Sequence, residues 1–156
     1  MLQPPDNADL QAWHRYFAKQ ANNRAWELSV DTRGAAEDRE MLDAAHAAAW
    51  HWQVVGTALH HMRATMLLAE VHAALGDGAT AMGYAREMHA YFLGKTDTPD
   101  WEVAFAHLVY AHAAHAAGDL AVHRSAYRQA ATALEAIANE EDRAIVLQSF
   151  RQLAAP

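Results

Sequence analysis

At 156 residues and 17.2 kDa the chain has the length of one domain, and its 38 Ala against 17 Val, Ile and Thr together favour helix over sheet. The absence of Cys excludes disulfides, thiolate metal sites and cysteine nucleophiles. A formal charge of −7, with 10 Arg and 2 Lys scattered singly, argues against a phosphate-backbone footprint, so no nucleic-acid partner is expected.

Residues 1–8 contain Pro4, Pro5 and Asp6 without a basic or apolar signal region, and are expected to be a disordered lead-in. The first helix is predicted to start after Asn7 or Asp9 and to reach about Val30, with Leu10, Trp13, Phe17, Ala21, Ala25 and Leu28 on one stripe. Gly34 softens the break at Asp31 to Ala36. The second helix, about Asp38 to Val55, carries Met41, Ala45, Ala48, Trp52 and Val55 at the spacing of one buried face. Gly56 and Thr57 lead into a third, whose face is Leu59, Met62, Met66, Ala69 and Ala73. Ala44 to Met62 is the longest stretch free of Asp, Glu, Lys and Arg. Its His46, His51, His60, His61 and Gln53 are unlike a membrane span, so a cytoplasmic protein with no membrane partner is expected.

Gly76-Asp77-Gly78 is a stop, and a fourth helix, about Ala79 to Leu93, presents Ala81, Ala85, Met88 and Phe92. Thr98-Pro99-Asp100 reads as a hydroxyl N-cap, Pro at the first helical position and an acid in the first turn. The fifth helix, Trp101 to Ala117, carries one charge, Glu102, and is expected in the middle of the packing. Gly118-Asp119 closes it, and Asp119 caps a sixth helix with Tyr127, Ala130, Leu134 and Ile137 inward. Asn139-Glu140-Glu141-Asp142 opens a seventh, with Val146, Phe150 and Leu153 as its stripe.

The segment Leu68-Ala69-Glu70-Val71-His72-Ala73-Ala74-Leu75-Gly76-Asp77, with Ala81 five residues beyond Gly76, resembles a tetratricopeptide (TPR) helical hairpin. Ala111 to Gly118-Asp119, with Tyr127 and Ala130, is similar. The glycine separation is 42 residues against the family's 34. His72 and Ala114 stand where the family favours an aromatic residue, and His123 stands at the packing Ala. The seven predicted helices and their short turns give an all-α fold with antiparallel neighbours over residues 9–156. The resemblance, which covers about Gly56 to Ile137, implies hairpins stacked in a TPR-like right-handed superhelix. Asn23-Arg24-Ala25-Trp26-Glu27-Leu28 and His51-Trp52 with Val55-Gly56 also resemble short helical bacterial proteins of unassigned function.

Eleven His are the unusual feature, although Ala, Arg, Asp, Gly and His all have GC-rich codons and composition alone accounts for them. Imidazole is also a common metal ligand. No His pair has i, i+4 spacing, and neither HExxH nor two Glu-x-x-His units occur. What remains is Asp43 with His46 on the second helix and His112 with His115 on the fifth. Facing each other, these turns would offer three imidazoles and a carboxylate to Zn²⁺ or Ni²⁺. His112 and His115 as core residues continuing the stripe Trp101, Phe105, Leu108 is the competing reading.

Trp50 and Trp52 point to different sides of one helix, so an exposed Trp50 is a candidate contact residue. His61 and His72 share a face about 16 Å apart along the axis, as a groove-lining stripe would. His51 falls with Glu40, Asp43 and Ala47 on an expected solvated face. Ser29, Ser125 and Ser149 stand in no nucleophile elbow, and no phosphate-cradling glycine motif exists. The resulting expectation is a non-enzymatic scaffold or adaptor that binds a protein or peptide, without a cofactor, in which end helices cap the stack or pair two subunits as a homodimer. The alternative is a metal-binding protein or metal-dependent enzyme using Asp43, His46, His112 and His115.

Overall fold

A computed structural model describes residues 9–156; the expected disorder of residues 1–8 lies outside the described residues. Seven helices follow in order: α1 (Leu10–Val30), α2 (Ala35–Val55), α3 (Ala58–Ala74), α4 (Gly78–Leu93), α5 (Asp100–Ala116), α6 (Leu120–Ala136) and α7 (Glu140–Phe150). No strand occurs among the described residues. The fold is all-α.

Side chains at the corners start most of these helices by satisfying first-turn N–H groups. Asp9 accepts from Gln11 and Ala12, Asp77 from Thr80, Asp119 from Val122, and Asn139 from Glu141 and Asp142. Gly76 and Gly118 take φ of +79° and +74°, the left-handed conformation that ends α3 and α5 and that only Gly adopts without strain. Gly78 is needed for a different reason. A Cβ there would lie 2.4 Å from the backbone of Ala116, so the start of α4 rests directly on the end of α5.

Two expected boundaries differ. Helix α2 begins three residues early, because Glu37 Oε2 accepts the Gly34 N–H at 3.0 Å and stabilises a turn ahead of Asp38. Pro99, not Thr98, is the N-cap of α5, and the Pro99 carbonyl accepts from Val103. Thr98 instead donates its hydroxyl to the Phe92 carbonyl at 2.7 Å and so closes α4.

Successive helices pack as hairpins, and a second set of contacts joins α1 to α3, α3 to α5, α5 to α7 and α7 back to α1. The odd-numbered helices thus form a ring, with α2, α4 and α6 outside it. Half of the buried hydrophobic side chains are Ala, which lets the helix axes approach closely. Phe92, Met88 and Leu108 anchor the larger core, while Met41, Leu67 and Val71 anchor a second one against α1 and α2. Each such side chain contributes about 1.5–3 kcal/mol on burial. Helix α3 buries Met66, Ala69 and Ala73 of its expected stripe, leaves Leu59 and Met62 partly buried, and buries Leu67, Leu68 and Val71 besides, because it serves both cores.

Candidate functional site

The ring of odd helices encloses an open cavity of about 560 Å³. Helix α1 contributes Asn22, Asn23, Trp26, Glu27 and Val30, with Asp31 just beyond its end. Arg63 and Met66 come from α3, Trp101, Glu102 and Phe105 from α5, and Ile145, Gln148 and Ser149 from α7. The chain's far end completes the ring, where Gln152 Nε2 donates to the Val30 carbonyl at 3.3 Å. An aromatic wall with a few convergent polar groups, at this volume, is the usual makeup of a ligand pocket.

Glu102 is 2% exposed at its side chain, a costly position for a carboxylate unless it is paired. Arg63 pairs with it in fork geometry, Nε to Oε1 at 2.5 Å and Nη2 to Oε2 at 3.1 Å. The same guanidinium lies 5.4 Å from the Trp101 ring centroid, and Trp26 packs on Phe105 at 5.3 Å. The cavity wall therefore has rigid aromatic faces around one neutralised ion pair. The sequence expectations missed this set. Its visible trace was isolation: Glu102 is the one charge of α5 beyond its first residue, Asp100, and Arg63 is the one Asp, Glu, Lys or Arg between Asp43 and Glu70.

The expected metal set is not assembled. Asp43 and His46 stand on α2, His112 and His115 on α5, and those two helices do not pack against each other. Among the described residues no group of three or more His, Asp or Glu is placed to hold a metal ion. Asp43 lies in a shallow outer groove with Arg24, Arg39 and Glu40, and the His46 ring meets His72 edge-on at 5.8 Å. His112 Nδ1 bonds Glu70 Oε1 at 3.0 Å across the α3/α5 interface. Burial pulls the His112 pKa down, but the charge and hydrogen bond of Glu70 outweigh it and raise it. His115 is exposed, against its reading as core, and touches the buried His123, whose Nδ1 bonds the Ala111 carbonyl.

Two other His pairs lie in contact. His89 Nε2 and His107 Nδ1 lie 3.2 Å apart, with the His89 ring stacked on Tyr110. Burial and then the His107 charge push the His89 pKa down to about 4. His51 is not on a solvated face as expected: its Nδ1 is 2.8 Å from that of His14, because α1 crosses over it. Burial and His14 lower its pKa.

Of the expected contact residues, Trp50 is 60% exposed and leans on the rings of His14 and His51. His61 and His72 form no open stripe. His61 Nε2 bonds the Trp52 carbonyl at 2.9 Å, and His72 Nδ1 bonds Asp77 Oδ2 at 3.1 Å, so both fasten helix ends. None of the three lines the cavity. Compared with family models, curated proteins and solved structures, the chain has no match.

Proposed function

We propose that the chain is a non-enzymatic peptide-binding module whose site is the cavity between α1, α3, α5 and α7. The observation that carries this reading is the cavity itself: about 560 Å³, open to solvent, walled by Trp26, Trp101 and Phe105, and floored by the Arg63–Glu102 pair. Its size suits one or two peptide side chains entering from a bound segment. Aromatic side chains on rigid helices supply contact area at small entropic cost, as binding hot spots do. A TPR-like stack of hairpins, presenting its odd helices to a partner, is the architecture that this reading extends to the whole chain.

The test uses a displayed library of random nine-residue peptides, selected on the purified protein and on Gln148→Trp. Gln148 is exposed on the cavity lining, so the added indole fills the site without entering the core. Peptides enriched on the wild type and lost on Gln148→Trp are the expected result. Enrichment of nothing, or of peptides indifferent to Gln148→Trp, contradicts the assignment.

A further inference from the structure

The charges around the cavity are unbalanced. On its floor, Glu102 consumes the charge of Arg63. Outside the lining, in the shallow groove between α1 and α2, stands Arg24, whose guanidinium is shared by three carboxylates. Nε and Nη2 bond Glu40 at 2.6 and 3.1 Å, Nη1 meets Glu27 Oε2 at 3.8 Å, and Asp31 acts on it at longer range. Arg33, the next cation along, is occupied by Asp38 Oδ1 at 2.9 Å and by the Leu28 and Asp31 carbonyls. Among the described lining residues, Glu27 and Asp31 therefore have no full counter-charge, and α7 adds only the neutral Ile145, Gln148 and Ser149.

Two further features have the same sign. The C-terminal turn of α1, with its negative dipole end offset in part by Arg33 on the Leu28 and Asp31 carbonyls, reaches the cavity at Val30 and Asp31. Trp26, Trp101 and Phe105 present aromatic rings, whose faces attract cations, and the Trp101 ring already holds one in Arg63. An aromatic-walled cavity with carboxylates at its mouth and a helix C-terminus at one end complements a positive charge on an apolar stem.

Resting on the peptide-binding reading, we infer that the segment taken into this cavity carries a basic side chain, an Arg or Lys. Its aliphatic stem lies against Trp26 and Phe105, and its charged head lies between Glu27 and Asp31. The partner is therefore a peptide or chain segment with a basic anchor residue, not an acidic one.

Three libraries of random nine-residue peptides, with the central position fixed as Arg, norleucine or Glu, distinguish the outcomes. They are measured on the wild type, on Gln148→Trp and on Glu27→Gln/Asp31→Asn, whose two changes are on exposed residues and leave the core intact. The Arg-centred library is expected to be retained about tenfold over the Glu-centred one. Retention falls about fivefold in Glu27→Gln/Asp31→Asn, falls with added salt, and is lost in Gln148→Trp. Equal or better retention of the norleucine or Glu library, or Arg retention indifferent to Glu27→Gln/Asp31→Asn, overturns the basic-anchor assignment and leaves the cavity reading standing. Retention of no library, or retention unchanged by Gln148→Trp, overturns the cavity reading and this inference with it.

Discussion

Arg63 and Glu102 are bonded to each other at 2.5 Å, yet they share the burden of that pair unequally: the Arg63 side chain is 39% exposed and that of Glu102 is 2% exposed. A buried charge left alone costs several kcal/mol, whereas one with access to water can be resolvated. Arg63→Met strands the buried carboxylate and is expected to cost about 3–5 kcal/mol. Glu102→Gln leaves a guanidinium that still reaches solvent and the Trp101 face, and is expected to cost about 1–2 kcal/mol. Urea unfolding of both variants measures the order; equal losses, or the reverse order, contradict the asymmetry.

The burial of His89, beside His107, makes stability depend on acidity. The native His89 pKa is about 4, below the ordinary 6.5. The unfolded chain therefore takes up a proton in the window where the native protein does not. The contribution is complete above about pH 6.5 and is lost as the pH falls from there to about 4, amounting to roughly 2 kcal/mol. Unfolding free energies at pH 7 and pH 4.5 are expected to converge in His89→Gln compared with the wild type. An unchanged pH dependence in that variant contradicts the assignment.

His112 acts in the opposite sense. Its pKa is raised by Glu70, so its contribution is complete below about pH 6.5 and is lost as the pH rises through the raised native value. In the double variant Glu70→Gln/His112→Gln, unfolding measured between pH 6 and 8.5 is expected to lose this component. An NMR titration giving His112 a pKa below 6.5 is the contrary result.

Two glycines inside or at the start of α4 should respond oppositely to the same substitution. Gly78→Ala would push a methyl into the Ala116 backbone, with an overpacking cost of about 1–3 kcal/mol. Gly83 is a helix-interior position with nothing within 4 Å of a Cβ, so Gly83→Ala is expected to stabilise by about 0.4–1 kcal/mol. Thermal unfolding of the two variants shows the signs directly, and two shifts of the same sign contradict the packing of α4 on α5.

The helices and corners were legible because their signals are local. Gly76-Asp77 and Gly118-Asp119 each combine a left-handed glycine with a capping carboxylate, and both act where expected. The burial of Trp52 against the exposure of Trp50 followed from helical geometry alone. The cavity was not legible, since its walls join residues as distant as Trp26 and Ser149 and depend on α7 returning to α1. The His residues misled for a related reason. Asp43 and His46 have one-turn spacing, as do His112 and His115, but spacing within a helix says nothing about which helices become neighbours. For Glu70 and His112 it was the α3/α5 contact, not spacing along one helix, that decided the partner.

The most direct test of the binding site is a ¹H–¹⁵N NMR spectrum of the Trp indole N–H signals during titration with a peptide selected on the wild type. Trp26 and Trp101 line the cavity, while Trp50, on α2, is exposed and outside the lining. The expected result is saturable movement of the Trp26 and Trp101 signals with Trp50 unmoved. Movement of Trp50 with Trp26 and Trp101 unmoved would put the contact on the outer aromatic surface and contradict the cavity.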